Sequence, residues 1–238
     1  NATGATVFKG RVYVYRSDRL EFYYGGAGAI TGAYTLFPLQ GVARRGGGVA
    51  SMASLTLDGG AGLDDMLLVL TTQGEVLAYV GTDPASAATW RLSGNYSAVG
   101  RPLATGRRAL LEHGGDVLVL TEAGVFPASA LASGGDDAGL ATRARTRMIH
   151  QTFLDMARGR GTEVGWGLVS LPALGLWLVN VPWGATDAQQ VVFSGTTGAA
   201  SRWNRLAAAS WLESGGAAYF GEAGTGGRVM IFGEDHSD

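Results

Sequence analysis

The sequence predicts an all-β chain of β-propeller type, with about five or six blade units of antiparallel strands and one helix inserted near residues 140–157. Three observations carry that expectation. The stretch Asp64 to Leu92, DDMLLVLTTQGEVLAYVGTDPASAATWRL, sets two short apolar runs around Gln73-Gly74, the pattern of a hairpin closed by a glycine turn. The same order of acid, apolar run, Thr, two spacers and Gly returns at Asp116 to Phe126, DVLVLTEAGVF. Looser copies lie at Gly10 to Tyr24, Leu174 to Ser194 and Gly215 to Phe232. If Tyr13, Leu67, Leu118, Trp177 and Tyr219 are equivalent strand positions, the steps between them are 54, 51, 59 and 42 residues. Irregular periods near 50, built from hairpins rather than helix pairs, are those of propeller blades, and a β-helix would repeat at a much shorter interval.

In order along the chain, Val7 to Tyr15 alternates, with Val12 and Val14 on one side and Arg11, Tyr13 and Tyr15 on the other, as one strand. Gly25 to Gly32 reads as a glycine loop, Tyr34 to Leu39 as a strand and Arg44 to Gly48, RRGGG, as a flexible solvated link. Val49 to Leu57 leads into the central hairpin. Gly81 to Ser86 is a turn with Asp-Pro chemistry, and Thr89 to Leu92 a brief strand carrying Trp90. Ala109 to Glu112 opens the next hairpin, and Ala132 to Gly139 is a polar break. Leu140 to Met156 reads as the one helix, because Leu140, Ala144, Met148, Phe153 and Met156 fall on one stripe and Gly159 and Gly161 end it. The remainder, Glu163 to Phe232, returns to strands, with Trp166, Trp177, Trp183, Trp203 and Trp211 as apolar anchors.

Composition sets the bounds. A chain of 238 residues that is 46% apolar and 16% charged is globular and long enough for one all-β domain spanning 1–238. Its 39 glycines are about twice the usual share of roughly 7%, as many tight turns require. A net charge of −2 supplies no global field toward nucleic acid or membrane. Arginine outnumbers lysine 17 to 1, a bias that GC-rich coding produces without any function. The absence of cysteine excludes disulfides and a thiol nucleophile. No apolar run reaches the roughly 18 residues of a membrane helix, since Pro172, Gly175, Asn180 and Pro182 interrupt the longest. A start at Asn1 and an end just after a strand suggest the ordered part of a longer or processed product.

Residues that could carry chemistry are sparse. Gly26-Ala27-Gly28 begins like a dinucleotide fingerprint, but position 31 is Thr and no βαβ pattern surrounds it, so a hairpin loop is expected. The sole lysine, Lys9, follows no glycine loop, which removes a phosphate-binding P-loop. His113, His150 and His236 lack metal-ligand spacing, and Asp64-Asp65 and Asp136-Asp137 read as solvated turn acids rather than paired glycosidase carboxylates. Neither metal nor cofactor is expected. One charged constellation stands out: Arg143, Arg145, Arg147, Arg158 and Arg160, with His150 among them. Guanidinium forks could grip DNA phosphates there, or the five could be the wet face of a helix or a subunit contact.

The phrases DDMLLVLTTQGEVLAYVGTDPASAATWRL, GRPL followed by GGDVLVLTEAGVFPAS, VVFSGTTGAASRWNRL and AAYFGEAGTGGRVMIF together resemble a bacteriophage family. The likeness, over Val7 to Asp238, is to the β-propeller virion proteins of short-tailed phages of the tail nozzle, tail tubular or DNA-stabilisation type. It implies a non-enzymatic structural protein of the virion tail, a homo-oligomeric ring, usually a hexamer, around the DNA conduit. Its implied partners are sister copies, other phage tail proteins, and packaged or ejected DNA touched without sequence preference. The alternative expectation is a carbohydrate-binding or glycosidase-like propeller of the phage adsorption apparatus, suggested by six tryptophans and the turn acids. A cellular repeat scaffold is the third.

Overall fold

Short apolar runs broken by glycine turns leave each strand only its chain neighbours to pair with, and every sheet is accordingly an antiparallel meander in sequence order. The structure, a computed structural model, describes residues 1–58, 63–134, 137–204, 206–224 and 227–233. Strands hold 47% of it and helices 14%, which places the chain in the all-β class. The chain folds as two units, Asn1–His150 and Gln151–Asp238.

In the first unit, one sheet contains β1 (Gly4–Phe8), β2 (Arg11–Tyr15), β3 (Glu21–Tyr24) and β4 (Thr35–Pro38). A second contains β5 (Val49–Asp58), β6 (Leu63–Thr71), β7 (Glu75–Gly81) and β8 (Trp90–Ser97). A third contains β9 (Leu110–His113), β10 (Asp116–Thr121) and β11 (Gly124–Pro127), followed by α1 (Ala128–Ala132) and α2 (Asp137–Arg143). Helix α3 (His150–Arg160) leads into the second unit. That unit holds a sheet of β12 (Gly167–Leu171), β13 (Leu176–Pro182), β14 (Ala188–Ser194) and β15 (Ala200–Trp203). Its other sheet is β16 (Ala208–Ser214), β17 (Ala217–Glu222) and β18 (Val229–Ile231). Tyr13, Leu67, Leu118, Trp177 and Tyr219 lie on β2, β6, β10, β13 and β17, in each case the second strand of a separate sheet.

Alternation explains how the first unit packs. Leu67 and Val69 of β6, with Leu77 and Tyr79 of β7, face the first sheet; Leu68, Leu70, Val76 and Ala78 face the third. A sheet buried on both faces needs apolar residues at successive positions, which is why β6 reads as a continuous apolar run. The first interface is aromatic. The Trp90 ring stacks between Tyr13, at 6.2 Å, and Tyr79, at 5.3 Å, and Phe8, Phe22 and Phe37 pack edge-on or stacked around them. In the second unit, Leu171, Leu178, Val192 and Ala218 form a core with Trp203, Trp211 and Phe232 against it. On the other face of β13 and β14, Trp177 stacks on Phe193 at 4.1 Å.

A hydrogen-bonded seam runs along the first unit, where each hairpin turn meets the connection to the following sheet. Val49 N–H donates to the carbonyls of Arg16 and Arg19, and Thr72 N–H to that of Gly48. Ala98 N–H donates to Gly74 O, and Glu122 N–H to Arg101 O. The approach at Gly74 is close: with φ at +78°, a Cβ there would run into the backbone carbonyl of Gly100.

Two expected elements differ, and one helix was not expected. Val7 to Tyr15 is not one strand, because Lys9 at φ 47° and Gly10 at φ 71° form a tight turn between β1 and β2. Leu140 to Met156 is not one helix: α2 stops at Arg143, a 3₁₀ turn covers Arg147–Ile149, and α3 begins afresh. The break has a cause in the edge of the third sheet. Arg145 N–H donates to Val125 O at 2.8 Å, and Val125 N–H donates to the buried Thr146 Oγ1 at 3.2 Å, so the chain leaves the helix to satisfy β11. Met148, expected on the buried stripe, is 76% exposed as a result, while Leu140, Ala144, Phe153 and Met156 are buried. Helix α1, unforeseen in the sequence, follows a Pro127 N-cap and is tied down by Asp116, whose carboxylate accepts from Ser129 N–H and its hydroxyl.

The phenols of Tyr13 and Tyr79 are buried without a hydrogen-bond partner among the described residues, and burial pushes both up to about 12 from an ordinary value near 10. Folding therefore prefers the neutral phenol. The associated stability is complete below about pH 10 and is lost as pH rises from about 10 to about 12. Thermal unfolding followed by circular dichroism should show the melting temperature falling in that window. Tyr79→Phe should flatten the fall at no cost at pH 7, because the hydroxyl it removes bonds to nothing. Gly74→Ala should cost more than the roughly 1–2 kcal/mol of a non-glycine residue at positive φ. Gly114→Ala, at φ 61° in open space, should cost only that amount; chemical denaturation of the pair checks the difference.

Candidate functional site

The five arginines are divided between the two units. Arg143, Arg145 and Arg147 belong to the first unit, and Arg158 and Arg160 to the second. At the end of α2, the Arg143 guanidinium turns back to Ser133 Oγ and the Gly134 carbonyl. Arg145 and Arg147, in the break that β11 imposes, are exposed and have no ion-pair partner among the described residues. Arg158 is exposed and 3.9 Å from Asp155, a pair that contributes little.

Arg160 serves structure. Its guanidinium lies 2.9 Å from Glu163 and 3.7 Å from the centre of the Trp183 ring. The other Glu163 oxygen accepts from Gly184 N–H at 2.9 Å, and the Trp166 indole donates to the Arg160 carbonyl at 2.8 Å. The end of α3 is thereby clasped to the loop after β13. Trp183 is the most exposed tryptophan, and one face of its ring is already covered by this arginine. Trp90, Trp166 and Trp177 are buried and Trp203 and Trp211 half-buried, in line with the packing role expected of them.

Other expected candidates are dispersed. Asp65 pairs with Lys9, and Asp83 with Arg11 at 3.3 Å. Asp136, His236 and the side chains of Asp64 and Asp137 lie outside the described residues. His113 ends β9, where burial and then the Arg145 charge hold its imidazole below the usual range. His150 begins α3 with Nδ1 buried. Gly26-Ala27-Gly28 sits in the loop between β3 and β4, as expected. Among the described residues no three His, Cys, Asp or Glu side chains group as metal ligands, and no helix is long and apolar enough to cross a membrane.

Two buried polar groups were not singled out from the sequence. Glu75, at the start of β7 and 3% exposed, accepts from Arg44 N–H and Arg45 N–H, each at 2.8 Å, and from the Asn95 amide at 3.2 Å. Its carboxylate fixes the backbone of the link that the sequence presented as flexible. In the second unit, Asn180 donates to Gly165 O and accepts from Gln190 Nε2 at 2.9 Å and from the Trp211 indole. Asn180 forms part of a shallow cleft with Pro182, Asp187 and Glu222. The signal for both was a single polar residue inside an apolar run, QGEVLAYV and LWLVNVPW.

Compared with models of known protein families and with curated proteins, the chain matches none.

Two variants separate the clasped arginine from the solvated ones. Arg160→Ala should destabilise by about 1–2 kcal/mol, the sum of a cation–π contact and a partly exposed ion pair. Arg147→Ala should stay within about 0.5 kcal/mol of the parent in the same urea titration.

Proposed function

We propose that this chain is a structural protein of a bacteriophage tail, a β-propeller-type nozzle, tail-tube or head–tail completion component that assembles as a homo-oligomeric ring around the DNA conduit. On this reading it acts by shape, without substrate turnover, and is located in the virion. The observation that carries it is the series of five meander sheets, each with its second strand at the position that repeats in the sequence. Within the first unit, consecutive sheets pack face to face through alternate rows of one strand, the relation that neighbouring blades have in a propeller. The resemblance of the repeated phrases to tail proteins of short-tailed phages supplies the biological setting. Among the described residues the carbohydrate reading has a single exposed aromatic platform to offer in Trp183, and Arg160 occupies one side of it.

Purified particles from a phage encoding this chain should contain it at fixed stoichiometry by quantitative mass spectrometry, and averaged images should place it in a ring on the tail axis. Its absence from purified particles would end the proposal.

A further inference from the structure

We draw no further inference here: the strongest candidate, the outward face of the first sheet, on which Ala5, Val14, Tyr23 and Leu36 align across β1 to β4 beside Val7 and Val12, is an unpartnered apolar face, and nothing in the structure shows what covers it.

Discussion

Burial of both faces of the second sheet is the constraint from which the first unit follows. Successive residues of β6 point to opposite sides, so Leu67 and Val69 serve one interface while Leu68 and Leu70 serve the other. Each buried aliphatic side chain contributes roughly 1.5–3 kcal/mol. A slip of one residue would exchange the two rows, forcing aliphatic side chains shaped for Val117, Val119 and Phe126 against the aromatic stack around Trp90. Register is therefore fixed from two sides at once. The hairpin turn completes the lock, because the buried Thr71 hydroxyl accepts from Glu75 N–H at 3.0 Å while its carbonyl accepts from Gly74 N–H.

Once three sheets stack in this way, their turns and connections are brought together at one edge, and the backbone groups there need partners. The chain meets that need in three chemical forms. Backbone pairs serve at Gly48 and Gly74, a threonine hydroxyl serves at Val125, and a buried carboxylate serves at Arg44 and Arg45. A buried carboxylate is costly unless its oxygens are occupied, and Glu75 accepts three hydrogen bonds. The acid is thus a structural element of the edge and leaves the neighbouring guanidiniums unneutralised.

The repeat was legible because its cause is local: apolar runs of strand length, glycine at the turn, and threonine just before it. Five equivalent positions chosen from that pattern all fall on second strands. What the sequence hid depends on distant partners. Nothing in RTRMIH announces that Arg145 N–H will leave the helix to bond Val125 O, and the stripe Leu140 to Met156 is periodic enough to read as unbroken. Lys9 in a left-handed turn is equally silent, since lysine has no preference for that conformation and only the glycine after it hints at the β1–β2 hairpin. The surroundings of the arginines were hidden in the same way. Arg143 to Arg160 are neighbours in sequence but split between the units, with Arg160 clasped by Glu163 and Trp183.

Net charge is consequently a poor guide to what such a fold presents. A value of −2 counts Glu75 and Asp116 as though their charge faced solvent, yet the first bonds backbone amides and the second holds α1. What acts at a distance is the unpaired remainder and its placement, screened beyond about 10 Å at ordinary ionic strength. Much of that remainder lies in turns and connections, at Arg19, Arg44, Arg45 and Arg101, and the rest includes Arg91 on β8 and Arg202 on β15. Arginine at those points has a further advantage over lysine, because its aliphatic stem can lie along the protein surface while the weakly hydrated guanidinium stays available. In the first unit the turns and connections thus carry much of the charge left in solvent, at Arg19, Arg44, Arg45 and Arg101, because the buried carboxylate of Glu75 is spent on backbone N–H groups.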